Sequence, residues 1–294
     1  MIHHHLPFIS RRKALQIGIG AGLGIASEMW QSLLAEPQKR RFQIGACDWS
    51  INSTAKIEAM QVAQEIGLDG VQISLGTFQD GMHLRQKNIQ QAYKKASRQY
   101  KVKVGGIAIG ELNNYPYKSD PQTEQWVSDS IDVAKKMGVK VVLLAFFAKG
   151  DLKNDEAGQS VVIERLKKVA PKAEKEGIIL GIESWLSAKE HIRIIEAVGS
   201  KNVQVYYDVA NSNQMGYDIY EEIRWLGKQQ ICEFHFKENG FLLGKGKIDF
   251  KEVRKAIDDI GFEGWIQIEG AVPQGAEMLP SYKDNNLFVK DLMK

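Results

Sequence analysis

Four residues in the second half of the chain have the types that hold a hard metal ion: Glu183, Asp208, His235 and Glu269. Each lies at or near the end of a short apolar run: "GIILGIES" (177–184), "NVQVYYDV" (202–209), "ICEFHFK" (231–237) and "GWIQIEG" (264–270). Successive side chains of a strand point to opposite faces. Ile178, Leu180 and Ile182 then share one face, as do Val203, Val205 and Tyr207, and Ile266 and Ile268. Glu183, Asp208 and Glu269 fall on the other. In "ICEFHF" the same phasing assigns Cys232, Phe234 and Phe236 to the apolar face, and Ile231, Glu233 and His235 to the opposite one. Three carboxylates crowded with one imidazole repel one another and would disrupt the fold or raise their pKa values unless neutralised. One divalent cation removes the conflict. Three oxygen ligands and one nitrogen suit Mn²⁺, Co²⁺ or Mg²⁺, with Zn²⁺ less typical. The plainer alternative is a set of buried ion pairs with Lys237, Lys245 or Lys247.

The elements that would position these residues alternate strand with helix. Four earlier apolar runs, "FQIGACD" (42–48), "DGVQISL" (69–75), "VKVGGIAIG" (102–110) and "VKVVLLAFF" (139–147), precede the four above. Helix-length segments such as "AKIEAMQVAQEIG", "VVIERLKKVAPKAEKEG" and "FKEVRKAIDDIG" separate them. This order predicts parallel strands joined by right-handed crossovers. Asp120 before Pro121 reads as a helix cap, and Gly67, Gly138, Gly177 and Gly261 as helix stops. Eight strands and seven helices, with "SYKDNNLFVKDLMK" supplying an eighth, predict an α/β fold, a (β/α)₈ TIM barrel spanning residues 36–294 as a single domain. The runner-up, an open doubly wound sheet, would place a glycine-rich phosphate loop after its first strand, where "GACDWSINS" stands instead. In a barrel, the four candidate residues sit together at the C-terminal mouth, where barrel enzymes act.

Residues 1–35 differ in character. Arg11 and Arg12 precede a glycine-rich, mildly apolar run from Ala14 to Ala26, too short and too rich in glycine for a membrane span. "SRRKALQ" resembles a twin-arginine export signal, which predicts an exported, periplasmic protein; a cytoplasmic N-terminal helix is the alternative. Removing these residues takes Arg11, Arg12, Lys13 and Glu28 away and leaves a net charge near +1. That balance predicts neither a nucleic-acid nor a membrane partner. Cys47 and Cys232 are the only cysteines and read as free buried thiols.

The stretches "GIES", "YYDVAN", "FHFKEN", "GKGKIDF" and "GWIQIEG" resemble the xylose isomerase-like barrel superfamily of sugar isomerases and epimerases, over roughly residues 42–270. The resemblance implies that Glu183, Asp208, His235 and Glu269 bind one divalent metal ion. It implies also that Glu183 and Glu269 exchange the substrate proton from opposite faces, and that Lys237 touches substrate. The chain departs from the pattern at three places. Asn211 stands where many members carry His, Trp185 where many carry Asn, and Gln72 where the second strand often ends in Glu. Trp185 and Asn211 join Lys237 as candidate substrate contacts, and His83, in "QDGMHLRQ" after the second strand, is a fourth. Tyr115 and Tyr117 follow the third strand and are candidate pocket residues, whereas His191 is expected on a helix surface.

The implied reaction is proton transfer through an enediolate on a free or oxidised sugar, giving isomerisation or epimerisation. Loss of a β-hydroxyl from the same enediolate would instead make the protein a lyase or hydratase on a keto-sugar or inosose. A phosphodiesterase of the apurinic-endonuclease type shares the barrel but needs more histidines than His83, His191 and His235. A non-catalytic sugar-binding protein is the remaining class. In every class the expected partner is a small-molecule sugar, and a homo-oligomer is compatible with the sequence.

Overall fold

Each of the eight apolar runs forms one strand of a closed parallel barrel, ordered β1 to β8 with β8 returning to pair with β1. The strands are β1 (Phe42–Cys47), β2 (Gly70–Ser74), β3 (Lys103–Ile109), β4 (Val141–Phe146), β5 (Ile179–Ser184), β6 (Val203–Asp208), β7 (Ile231–Phe236) and β8 (Gly264–Ile268). This computed structural model describes residues 40–294, so the expected export signal over residues 1–35 lies outside the described residues. From Arg41 onward the chain forms one compact unit. No helix among the described residues is long and apolar enough to cross a membrane.

Helices α1 (Ala59–Ile66), α2 (Lys87–Tyr100), α3 (Gln122–Met137), α4 (Glu156–Glu176), α5 (Ala188–Val198), α6 (Val209–Gln214), α7 (Ile219–Gln230), α8 (Phe250–Asp259) and α9 (Met278–Leu292) connect the strands and close the chain. Their ends follow local chemistry. Gly67, Gly138 and Gly177 take left-handed conformations at the ends of α1, α3 and α4, where a side chain would be strained. Asp120 accepts the Gln122 N–H at the start of α3, and Ser187 with Glu190 forms a reciprocal capping box on α5. The outer faces of the strands and the inner faces of the helices share one apolar core, including Ile44, Ile73, Val142, Leu180, Val205, Phe234 and Ile266. A separate, smaller cluster of Ala108, Val141, Leu143, Ala145 and Tyr206 fills the barrel lumen.

Two β-bulges break the simple alternation. Pairing of β2 with β3 steps from Val71–Val104 to Gln72–Gly106, leaving Gly105 as the extra residue. Pairing of β6 with β7 steps from Val205–Ile231 to Tyr206–Glu233, leaving Cys232 as the extra residue. The second bulge corrects the phasing expected at the start of β7. Ile231 packs in the outer core, and Cys232 packs with the lumen cluster. From Glu233 onward the expected phase holds. His191 also differs from expectation. It lies on α5 but is buried, with its ring held between the Ser184 hydroxyl and the Ser187 carbonyl.

Candidate active site

Glu183, Asp208, His235 and Glu269 converge at the C-terminal mouth, each offering one ligand atom within 4.8 Å of the others. Asp208 ends β6 and caps α6. Its Oδ1 accepts the N–H groups of Ala210 and Asn211 at 2.7 and 2.8 Å. Its Oδ2 is buried without a hydrogen-bond partner among the described residues. A buried carboxylate oxygen left unpaired is costly, and its position in this cluster makes it a natural ligand for a cation. Burial raises the Asp208 pKa to about 7; Glu269 and Glu183 add to the rise and Lys237 opposes it. The upward shift expected of crowded carboxylates therefore falls on Asp208.

His235 presents both ring nitrogens to acceptors. Nδ1 lies 2.9 Å from Glu183 Oε1 and 3.7 Å from Glu269 Oε2, while Nε2 lies 2.9 Å from Gln72 Oε1. A neutral imidazole has one N–H and can serve only one of these oxygens. The Cys47 thiol, 3.3 Å from Nε2, is the further partner on that side. With the N–H on Gln72, the Nδ1 atom faces Glu183, where a second proton or a cation would fit. Burial works against a charged ring, but Cys47, Glu183 and Glu269 outweigh it and hold its pKa well above the ordinary range. The Nε2 side continues as a directed chain. Gln72 Nε2 donates to the Tyr206 hydroxyl at 3.0 Å, which donates to Glu233 Oε2 at 3.0 Å. Burial pushes the Glu233 carboxyl up to about 8. The Cys47 thiol also donates to Gln72 Oε1, at 3.3 Å. Gln72 Oε1 can accept an Nε2–H and leave Nδ1 facing the carboxylates, the tautomer that an orienting shell selects for a metal-binding histidine.

Lys237 leans into the cluster. Its Nζ lies 3.0 Å from Glu269 Oε2 and 3.9 Å from Asp208 Oδ2. Trp49 Nε1 donates to the other Glu269 oxygen at 2.8 Å. Burial would raise the Glu269 pKa, but His235, Lys237 and the Trp49 hydrogen bond outweigh it and hold it down to about 2. The ion-pair alternative is thus realised for Lys237, whereas Lys245 and Lys247 lie exposed in the loop after β7. Lys237 hydrogen-bonds Glu269 but reaches Asp208 Oδ2 only as a 3.9 Å ion pair without a hydrogen bond, so the donor set still fits a divalent cation.

Above the cluster lies a cavity of about 240 Å³ whose wall includes Glu183, Glu269, Trp49, Thr77, Asn113 and Phe147. Among the described residues, no lysine or arginine lines it. The other candidates are distributed as follows. Trp185 is half-buried on the rim, its ring edge-to-face with Phe147 at 5.0 Å. Asn211 is buried, and its backbone N–H helps orient Asp208. His83 is tied to Asp80 at 2.8 Å and is absent from the cavity wall. Tyr115 stacks on Phe78, and Tyr117 is buried against Phe146; neither lines the cavity. Trp49 was not foreseen, because its contact with Glu269 spans 220 residues of sequence. The Tyr206–Glu233 pair was equally hidden, although the inward phase of Glu233 signalled a polar lumen.

Residues 60–289 match the family described as xylose isomerase-like TIM barrel. Among curated proteins, the chain is 26% identical over 136 residues to a probable L-ribulose-5-phosphate 3-epimerase of Mycoplasma pneumoniae, covering 42% of this chain and 44% of that one. It is 25% identical over 151 residues to a D-psicose 3-epimerase of Enterocloster bolteae, covering 48% of this chain and 50% of that one. The matches span about half the length of these relatives or less. Among solved structures, D-psicose 3-epimerase from Clostridium cellulolyticum superposes with a TM-score of 0.73 at 17% identity, covering 86% of this chain and 99% of that one. At that identity the likeness speaks for the fold.

Proposed function

The chain belongs to the xylose isomerase-like TIM-barrel family, and from that premise we propose that it is a divalent-metal-dependent sugar isomerase or epimerase. The observation that carries the reading is the pair Glu183 and Glu269, which enter the same cavity from β5 and the end of β8 beside an unpaired Asp208 oxygen and the His235 ring. The similarity to two sugar 3-epimerases supports it. Glu183, Asp208, His235 and Glu269 would hold the ion. When bound, a divalent cation would polarise the adjacent carbonyl and hydroxyl oxygens of a sugar and acidify the neighbouring C–H.

The chain's own groups account for the proton transfer. Glu269 is kept ionised by its neighbours and can accept a proton from one side of the sugar. Glu183, three strands away, is placed to return one from another side. Return to the opposite face of the same carbon inverts that centre, and return to the neighbouring carbon moves the carbonyl. Lys237 and the Trp49 N–H steady the Glu269 carboxylate and can reach developing negative charge on the substrate. The neutral and acidic cavity wall suits an unphosphorylated sugar, because a phosphate would find no lysine or arginine among the described residues of that wall.

The test is proton exchange. Metal-stripped and Mn²⁺-reconstituted protein are incubated with free ketoses and keto-sugars in D₂O, and C–H signals are followed by NMR. The expected result is Mn²⁺-dependent deuterium incorporation, reduced at least 10²-fold in Glu269→Gln. Product analysis then separates isomerisation, epimerisation and β-elimination. Absence of exchange with every sugar in the panel would remove the assignment.

A further inference from the structure

A second cavity, of about 260 Å³, opens at the same end of the barrel and is lined by Asp151, Lys153, Trp185, Gln214 and Met215. These residues follow β4, β5 and β6, three of the strands whose ends surround the carboxylate cluster. The two cavities share a wall. Phe147 lines the first and Trp185 the second, and their rings meet edge to face at 5.0 Å and 76°. Trp185 is also only two residues beyond Glu183 in the chain, so one strand end serves both spaces.

We propose that this second cavity is a subsite for the non-reacting ring of a glycosidically linked sugar, so that the preferred substrate has two rings. The proposal rests on the sugar-isomerase reading above and adds to it a substrate class. A half-buried indole, set nearly at right angles to the Phe147 ring, offers apolar ring surface to the C–H face of a pyranose. Met215, 37% exposed, offers a second, adaptable apolar contact. The Gln214 Nε2 group and the second Asp151 carboxylate oxygen supply polar groups for hydroxyls around that platform, since Gln214 Oε1 already accepts from Asn239 and Asp151 Oδ1 from the Lys153 N–H. The charge pattern selects against a phosphate. Lys153 Nζ is committed to Glu190 Oε2 at 2.7 Å and to the Tyr217 hydroxyl at 2.8 Å, and Asp151 adds a negative charge. A neutral ring fits these groups; an anion does not.

The test compares two substrates on the Mn²⁺-loaded full chain: a keto-disaccharide, made by oxidising one ring of lactose, and the matching keto-monosaccharide. Deuterium exchange gives kcat/KM for each. The parent is expected to favour the disaccharide at least tenfold. Trp185→Ala should bring the ratio close to one, Trp185→Phe should retain part of it, and Gln214→Ala, at an exposed position, should lower it severalfold. Trp225→Ala, on the exposed face of α7, should leave the ratio as in the parent. Circular dichroism checks that each variant is folded. A parent ratio near one, or a ratio that survives Trp185→Ala, overturns the subsite while monosaccharide exchange lost in Glu269→Gln keeps the isomerase reading. Absence of exchange with either sugar overturns both.

Discussion

Gln72 shows how one atom's difference reaches the cluster. A glutamate at this position, as the resemblance would place there, could accept from His235 but could not donate to Tyr206 unless protonated. The amide does both, through Oε1 at 2.9 Å and Nε2 at 3.0 Å. It therefore sets the direction of the hydrogen bonds from His235 to Glu233, and with it the nitrogen that faces Glu183. Gln72→Leu removes both bonds and frees the ring to change tautomer. We expect Mn²⁺ affinity, measured by calorimetry, to fall roughly 10- to 100-fold, the usual loss when an orienting partner of a metal-binding histidine is removed. Unchanged affinity in a folded variant would show that the chain does not orient the ring. The four cluster residues were legible because strand alternation is a local signal and each ends an apolar run. Gln72 was legible only as a departure, and Trp49 not at all, since long-range hydrogen bonds leave no periodicity in the sequence.

At the scale of elements, the strand ends decide where the acids point, and each end is fastened locally. β5 is fastened to α5 by His191, whose Nδ1 donates to the Ser187 carbonyl and whose Nε2 accepts from the Ser184 hydroxyl beside Glu183. Burial pulls the His191 pKa down from 6.5 to about 4. The unfolded chain takes up a proton near pH 6.5, and the folded chain resists until near 4. This site therefore contributes stability above the unfolded value that is lost as pH falls from about 6.5 to 4, on the order of 3 kcal/mol in total. His191→Gln keeps hydrogen-bonding groups but does not titrate. Its melting temperature should fall less than the parent's between pH 7.5 and pH 4.5, by scanning calorimetry; an equal fall in both would contradict a buried neutral ring. The sequence placed this histidine on a helix but on the wrong face, because the hydroxyl that holds its ring lies on β5 rather than on α5. The bulge at Cys232 was hidden for a similar reason. It is a property of the pairing between β6 and β7, not of either strand alone.

For the whole molecule, the barrel was legible from its repeat of strand and helix, and the opposing charges at its mouth set a conflict between stability and function. Asp208 is raised from 3.8 to about 7, chiefly by burial, so its contribution is favourable below the unfolded value and is lost as pH rises through 7. At pH 8 the metal-free protein carries an ionised, half-paired carboxylate at a cost on the order of a few kcal/mol. Asp208→Asn removes that charge but keeps an oxygen for the Ala210 and Asn211 N–H groups that start α6. In chelator-treated protein at pH 8 the variant should melt several degrees higher than the parent. Mn²⁺ reverses the order of the effects. At a hundredfold excess over Kd, binding should stabilise the parent by about 2.7 kcal/mol, while the variant, having lost a charged ligand, should gain much less. A parent that melts at the same temperature with and without Mn²⁺, or a variant that responds as strongly as the parent, would mean that Lys237 alone neutralises the cluster. The crossing of the two melting temperatures on adding metal is what a mouth built around an ion predicts, because the same unpaired oxygen that weakens the empty barrel strengthens the loaded one.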